Sequence, residues 1–151
     1  MLLDIIKKYN SQNILIIDEL SFLEITSNKF NIPTFYKEIQ NINKNTKIYV
    51  ISNHIQQNCN RININPQKYI DVHQYFKNNN IVFDFVIDLN QKNIITQLSN
   101  FSLIINKTRF GYFLKKDTQN KNIDKLIYNL KKFNENVINE RDFLFVKIEK
   151  Y

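Results

Sequence analysis

An acidic pair follows the first strongly apolar segment of the chain. Residues 14–17 are Ile-Leu-Ile-Ile, and Asp18 and Glu19 come directly after them. Four apolar residues followed by acids are typical of a Walker B strand, whose acid holds the shell of a Mg²⁺ ion and activates water. The alternative is a buried strand whose turn happens to be acidic. A nucleotide site also needs a glycine-rich phosphate loop, and the chain has 1 glycine in 151 residues, which excludes such a loop.

Polar residues also follow the second apolar segment. Residues 47–51 are followed by Ser52 and Asn53. A polar residue in this position can sense the terminal phosphate of a nucleotide, although a strand end that needs backbone hydrogen bonds is the favoured interpretation. Because no phosphate loop accompanies either segment, we interpret Asp18, Glu19 and Asn53 as a degenerate remnant of a nucleotide site. We expect no catalytic residue and no cofactor.

Most of the positive charge lies in residues 107–132. This stretch has eight basic and two acidic residues, while the net charge of the whole chain is +7. Aromatic residues are interleaved with the basic ones, and cations that bind phosphates beside rings that stack on bases predict a contact with RNA. A solvated loop and helix face is an equally good interpretation. The candidate nucleic-acid-binding residues are Lys107, Arg109, Lys115, Lys116 and Lys121.

Two further carboxylates, Asp84 and Asp88, lie four residues apart in an apolar segment. In a strand both would face the same side, and paired carboxylates can do acid–base chemistry. A turn at the strand end is the favoured role of Asp88. The soft metal ligands are Cys59, His54 and His73, whose spacing matches no zinc pattern, so no metal site is expected.

The segments that must position these residues alternate between strand and helix patterns. Apolar spacing predicts helices over residues 2–9, 34–42 and 123–133, and strands over residues 14–17, 47–51, 81–89, 101–106 and 142–149. Loops are predicted over residues 22–33, 56–68 and 107–122. This order predicts an α/β fold, with a partly parallel sheet flanked by helices and an antiparallel C-terminal edge. Ligands of such sheets bind at the carboxyl edge of the parallel strands.

The composition also predicts the compartment and the number of domains. A chain of 151 residues fits a single domain, 1–151. No apolar run approaches the roughly 18 residues of a membrane helix, and the N-terminus lacks the apolar core of a signal peptide. The lone cysteine fits a reducing compartment. We therefore expect a cytoplasmic protein without membrane contact.

The apolar segments and their polar ends, taken in order, resemble the second half of a RecA-like domain. Lys107-Thr108-Arg109-Phe110-Gly111 resembles the Lys-x-Arg-Phe-Gly segment of RecA-like repair and helicase proteins. Residues 15–23 are similar to the apolar strand, acid pair and Leu-Ser segment of the Walker-deficient RecA-like subunits of Elongator, especially subunit six. The resemblance implies one RecA-like domain, complete or without its N-terminal P-loop half.

The Elongator-like resemblance also implies a function. Subunits of that family form a hexameric ring with two sister subunits, bind tRNA and support modification of the wobble uridine without doing chemistry. This chain would then be no enzyme but a P-loop-deficient scaffold that binds tRNA or other RNA in a hetero-oligomer with sister RecA-like subunits. One alternative is the Walker B half of a RecA-like or AAA+ ATPase of DNA recombination or replication. Another is a lineage-specific structural component of a ribonucleoprotein. In half a RecA sheet the first strand lacks a neighbour, which also favours an oligomer.

Overall fold

The elements of the fold alternate along the chain. A computed structural model of the protein describes residues 2–9, 11–18, 32–42, 45–52, 59–65, 68–89, 94–116, 123–140 and 143–148. The helices are α1 (Leu2–Lys8), α2 (Ile32–Ile42), α3 (Tyr69–Asn78), α4 (Ile94–Ile104) and α5 (Ile123–Phe133), with a 3₁₀ turn at Ile105–Lys107. The strands are β1 (Asn13–Asp18), β2 (Lys47–Ser52), β3 (Asn60–Arg61), β4 (Phe83–Asp88), β5 (Thr108–Lys115), β6 (Val137–Asn139) and β7 (Phe143–Lys147).

The strands of the described residues form one sheet in the order β3-β2-β1-β4-β5-β7-β6. β1 pairs in parallel with β2 and with β4, and the parallel part continues to β3 on one side and to β5 on the other. β7 is antiparallel to both β5 and β6. The predicted α/β class, with a mostly parallel sheet and an antiparallel C-terminal part, is confirmed. β1 has a neighbour on each side, so a missing neighbour of the first strand gives no reason to expect an oligomer.

Helices cover both faces of the sheet. On what we call the first face, α1 and α2 pack over Ile14 and Ile16 of β1. On the second face, α3, α4 and α5 pack over Leu15 and Ile17. β1 and β4 are therefore buried along nearly their whole length, which explains why they are continuous apolar runs instead of alternating ones.

The right-handed rule for crossovers explains which helix lies on which face. The chain moves in one direction along the sheet from β1 to β2 and in the opposite direction from β4 to β5. Right-handed connections that move in opposite directions must lie on opposite faces. α2 accordingly lies on the first face and α4 on the second.

Two segments differ from the sequence prediction. Residues 101–106 were predicted to be a strand, but they belong to α4 and to the 3₁₀ turn after it. α4 buries Phe101 and Ile104, a spacing of three that suits a helix and that a short apolar run conceals. Residues 107–122 were predicted to be a loop, but residues 108–115 form β5, whose glycine and basic residues concealed the strand pattern.

Two short strands were also not predicted from the sequence. Residues 56–68, predicted to be a loop, contain the two-residue strand β3, and the described part of the chain beyond α5 contains the short edge strand β6. Within the described ranges, none of the helices combines the length and the apolar character that crossing a membrane requires.

Candidate functional site at the carboxyl edge

The chain changes direction along the sheet between β1 and β4. From β1 it proceeds outward through β2 to β3, returns to β4 and continues outward on the other side to β5. α2 follows β1 on the first face, whereas α4 follows β4 on the second face. The connections that leave the carboxyl ends of these two neighbours therefore diverge. Open α/β sheets bind ligands in the crevice at such a point, so the side chains at these two strand ends form the candidate site.

Asp18 is the last residue of β1 and is completely buried. The Tyr36 hydroxyl, on the first turns of α2, donates a hydrogen bond to Oδ2 of Asp18 at 3.3 Å. Burial, and next the negative charge of Asp18, raise the pKa of Tyr36 well above its ordinary value. The phenol therefore keeps its proton at neutral pH and acts as the donor in this pair. The contact fixes α2 against the carboxyl end of β1.

Asp88 has the same position on β4. It is the last residue of that strand, it is completely buried, and its Oδ2 atom lies 3.5 Å from the hydroxyl of Tyr112 on β5. It is opposite Ile17 in the register of β1 and β4. The backbone N–H of Leu89 then donates to the carbonyl of Ile17 at 2.8 Å, which holds the two strand ends together.

The two carboxylates lie at the ends of adjacent strands but belong to opposite faces. Asp18 continues the alternation of Ile14 and Ile16 on the first face, and Asp88 continues that of Val86 on the second. Carboxyl groups therefore lie at the carboxyl edge on both sides of the β1–β4 boundary. Each carboxylate is held by a tyrosine hydroxyl of a neighbouring element.

The end of β2 extends this edge by one strand. Ser52 is opposite Asp18 in the register and is completely buried. Its carbonyl accepts a hydrogen bond from the Arg61 guanidinium at 3.2 Å, which ties β3 to the end of β2. Glu19 and Asn53, the other residues of the predicted nucleotide-site remnant, lie outside the described residues.

Asp18 was predicted from the sequence, whereas its partner Tyr36 and the partner of Asp88, Tyr112, were not. Tyr36 and Ile39 lie three positions apart on the buried side of α2, so the helical stripe contained a signal for Tyr36. Tyr112 was hidden because β5 was predicted to be a loop.

The candidate nucleic-acid-binding residues lie at opposite ends of β5. At the amino end, the Lys107 ammonium donates to the carbonyl of Asn79 at 2.7 Å, and the Arg109 guanidinium lies 4.9 Å from the centre of the Phe110 ring. At the carboxyl end lie Lys115 and Lys116. About 20 Å of strand separates Arg109 from Lys115, so the described members of the set are not brought together.

The environments of Lys115 and Lys116 differ from each other. Lys115 is 5% exposed, and its ammonium lies 5.6 Å from the centre of the Phe143 ring. The ammonium of Lys116 donates to Oδ1 of Asn139 at 2.7 Å and to the carbonyl of Glu140. Lys121 lies outside the described residues. That this set binds nucleic acid stays a prediction.

Asp84 and Asp88 do not form the predicted pair on one side of a strand. Phe83 packs on the second face and Phe85 on the first, so the alternation of β4 breaks at Asp84, where the register with β5 also shifts. Asp84 accepts a hydrogen bond from the backbone N–H of Gln12 at 2.6 Å and lies 3.6 Å from the Arg109 guanidinium. It fixes the amino end of β1 against β4, at the edge opposite Asp88.

An open groove lies beside the edge strand β3. It has a volume of about 570 Å³, and its lining includes Arg61 together with Asp71, Gln74, Tyr75 and Asn78 of α3. The groove is polar and lies on the β2–β3 side of the sheet, away from the β1–β4 boundary in strand order. Among the described residues, no group of three His, Cys, Asp or Glu side chains is placed to hold a metal ion.

The strand order, the change of direction and the buried carboxylates define an open, Rossmann-like α/β domain with its candidate site at the carboxyl edge. No protein-family model and no curated protein matches the sequence. Solved structures do match. The MycE methyltransferase from the mycinamycin biosynthetic pathway, in complex with Mg and SAH, has a TM-score of 0.62 at 11% identity. The match covers 97% of this chain and 47% of that one.

Two further solved structures are similar. MycE in complex with Mg, SAH and mycinamycin VI has a TM-score of 0.64 at 10% identity, over 96% of this chain and 46% of that one. M. capricolum TrmK, in complex with S-adenosyl-homocysteine, has a TM-score of 0.47 at 16% identity, over 97% and 66%. This chain thus spans about half the length of MycE, and the likeness shows that the chain and the matching part of MycE share a fold.

These findings correct the functional prediction. The RecA-like, P-loop-deficient description is wrong, because the chain shares its fold with the MycE methyltransferase. The prediction of a non-catalytic Elongator-like subunit, with its alternatives, is overturned by the same finding. So is the prediction that the chain is no enzyme. Asp18 is the last residue of β1, a central strand of the sheet, and its assignment to a remnant of a nucleotide site stays a prediction.

Proposed function

We propose that the chain is a methyltransferase-like domain that binds S-adenosylmethionine and its product S-adenosylhomocysteine in the crevice between the ends of β1 and β4. The observation that carries this proposal is the pair of buried carboxylates, Asp18 and Asp88, at the two strand ends where the chain changes direction. Ligands of open α/β sheets bind at that point. The methyltransferase fold supports the choice of ligand.

The charge of the site suits this ligand. S-adenosylmethionine has a cationic sulfonium and an ammonium group, besides ribose hydroxyls that donate hydrogen bonds. Carboxylates attract such cations strongly at a site with little water and accept hydrogen bonds from hydroxyls. Asp18 and Asp88 would hold these groups, while Tyr36 and Tyr112 keep the two carboxylates oriented.

The sequence after β1 limits how the ligand can be held. Residues 19–31 lie outside the described residues, and their sequence contains no glycine. A backbone cradle that depends on glycine for close approach is therefore not available there. Binding depends on side chains instead, which makes Asp18 and Asp88 more important than they would be beside a glycine-rich loop. When bound, S-adenosylmethionine supplies an electrophilic methyl group to a nucleophilic acceptor.

The test is binding of S-adenosylhomocysteine and S-adenosylmethionine to the whole chain, measured by isothermal titration calorimetry and by thermal shift. A ligand at one hundred times its Kd stabilises a protein by about 2.7 kcal/mol. For a chain of this size that corresponds to a rise in Tm of about 5–10 °C. If neither ligand at millimolar concentration binds or raises the Tm, the proposal is wrong.

Two variants and a control locate the site. Asp18→Asn and Asp88→Asn remove one negative charge each and should weaken binding of S-adenosylmethionine about tenfold or more, since hydrogen bonds to charged groups contribute about 1.5–3 kcal/mol. Glu135→Gln removes the same charge from the exposed segment between α5 and β6, at the amino edge, and should leave binding unchanged. Equal affinities in all three variants would place the ligand elsewhere.

A cytoplasmic location and assembly with other chains remain part of this proposal as predictions from the sequence.

A further inference from the structure

α5 exposes a band of basic residues centred on one aromatic ring. Tyr128 is 65% exposed, and at 3.6 residues per turn Lys125, Lys131 and Lys132 lie within about 60° of it around the helix axis. All three lysines are exposed. We call these four residues the basic stripe. The opposite side of α5 buries Leu126 and Leu130 against the second face of the sheet.

The aromatic ring and the cations of the basic stripe are in contact. The ammonium of Lys132 lies 4.7 Å from the centre of the Tyr128 ring, within the range of a cation–π interaction. A flat ring beside a cation is the arrangement with which proteins bind single-stranded nucleic acids, because the ring stacks on a base and the cation neutralises a backbone phosphate. Asp124 is exposed and lies about 40° from Tyr128 around the helix axis, within the same arc, so this side of α5 has a net charge of +2.

We propose that the basic stripe of α5 binds single-stranded RNA, with Tyr128 stacked on a base and Lys125, Lys131 and Lys132 on the phosphates. This surface differs from the crevice at the carboxyl edge, and the proposal does not depend on a cofactor. It also differs from the set at the two ends of β5, whose described members do not share one surface.

The composition of the stripe favours RNA over the other partners of a basic helix. A helix that lies in a membrane surface inserts a broad apolar face into the lipid, but the apolar face of α5 is buried against the sheet. The cores of protein–protein interfaces are depleted in lysine, whereas lysine makes up most of the stripe. Lysines next to an exposed ring fit a polyanion with flat bases.

The experiment measures the affinity of the whole chain for a fluorescein-labelled oligouridine of about 12 nucleotides, by anisotropy at two salt concentrations between about 50 mM and 200 mM. The triple variant Lys125→Ser, Lys131→Ser, Lys132→Ser should lower the slope of log K against log salt by about 2, since each lost phosphate contact on a single strand accounts for about 0.7. Tyr128→Ala should weaken binding about tenfold, whereas Tyr128→Phe keeps the ring and should bind as the parent does.

A matched variant controls for net charge. Lys7→Ser, Lys8→Ser, Lys37→Ser removes the same three charges from exposed positions on α1 and α2, on the first face, and should leave the slope nearly unchanged. Equal losses in the two triple variants would show that only total charge matters, and would overturn the proposal. So would equal affinities of Tyr128→Ala and Tyr128→Phe. Binding to anionic phospholipid vesicles that the stripe variant loses, while its affinity for RNA is kept, would assign the surface to a membrane instead.

Discussion

The single glycine of the chain leads to a prediction that tests the packing of the first face. Gly111 lies in β5 and not in a turn. A Cβ atom at this position would collide with Cε2 of Phe145, and would lie 2.8 Å from its Cζ and 3.2 Å from Cε1 of Phe85. Gly111→Ala should therefore destabilise the protein, although alanine is normally preferred to glycine within a strand.

The expected magnitude follows from two opposing effects. Replacing glycine by alanine reduces the entropy of the unfolded chain, which stabilises by about 0.4–1 kcal/mol where the backbone permits it. Forcing extra atoms into a packed core costs about 1–3 kcal/mol. The Phe145 ring cannot easily move, because it stacks on Phe113 at 4.6 Å between centroids and is 3% exposed. The net loss should be about 1–2 kcal/mol, or about 2–8 °C in Tm.

A double-mutant cycle tests the cause. Unfolding by urea, followed by far-ultraviolet circular dichroism, gives the free energy of unfolding for Gly111→Ala, for Phe145→Leu and for both together. The shorter leucine leaves room for the new methyl group, so the cost of Gly111→Ala should largely disappear in the double variant. Phe83→Leu serves as the control, because Phe83 packs in the core of the second face and its effect should add to that of Gly111→Ala within about 0.5 kcal/mol. Additive effects of Phe145→Leu would refute the reasoning, and so would a neutral Gly111→Ala.

Three further predictions concern single buried groups. Neither side-chain polar atom of Asn100 has a hydrogen-bond partner among the described residues, and the residue is 1% exposed. Asn100→Leu should therefore raise the free energy of unfolding, measured in urea, by about 1–2 kcal/mol. A lower free energy of unfolding would indicate that the amide has hydrogen-bond partners in the folded chain. Burial raises the pKa of the Cys59 thiol, while a hydrogen bond from Gln40 lowers it. Because the thiolate is the nucleophile, iodoacetamide at neutral pH should alkylate the folded chain more slowly than the unfolded chain, and the folded Gln40→Ala variant more slowly still. A faster reaction of Gln40→Ala would contradict this. Because the pKa of Tyr36 is raised in the folded chain, the phenol of the unfolded chain ionises first, near its ordinary pKa of 10.0. The contribution of Tyr36 to the free energy of unfolding is therefore intact below pH 10 and is lost as the pH rises above it. Tyr36→Phe should lose less stability above pH 10 than the parent does, and an equal loss would show that Tyr36 does not cause this pH dependence.

The sequence predicted those elements whose apolar pattern is unambiguous. β1 and β2 were found because each is a run of large apolar residues that ends in polar ones, and α5 because Leu126 and Leu130 lie four positions apart. Phe101 was assigned to a strand, since five mostly apolar residues fit a strand and a helix equally well. Tertiary packing selects the helix: the centre of the Phe101 ring lies 5.0 Å from that of Tyr112 and 5.7 Å from that of Phe133.

The basic residues of β5 concealed both the strand and the burial of Lys115. Lys115 was counted as a surface cation, but it is almost completely buried beside the Phe143 ring. A lysine can lie inside a fold when its stem packs on apolar atoms and its ammonium finds an aromatic ring. No periodicity in the sequence shows this, because the ring comes from β7, about thirty residues further along the chain. The strand order was hidden for the same reason, since which strand lies beside β1 is decided by contacts between distant residues.

The position of the candidate site could be predicted, while the chemistry of its ligand could not. An acid at the end of a buried parallel strand places a negative charge at the carboxyl edge, and Asp18 lies there in the structure. The structure places Asp88 at the end of the adjacent strand, so the crevice has two carboxyl groups. Two carboxylates at this edge repel a polyphosphate, and the chain has no glycine-rich loop whose amides could offset that repulsion. The same pair attracts a sulfonium or ammonium group. The glycine count and the second carboxylate thus argue together for a cationic ligand.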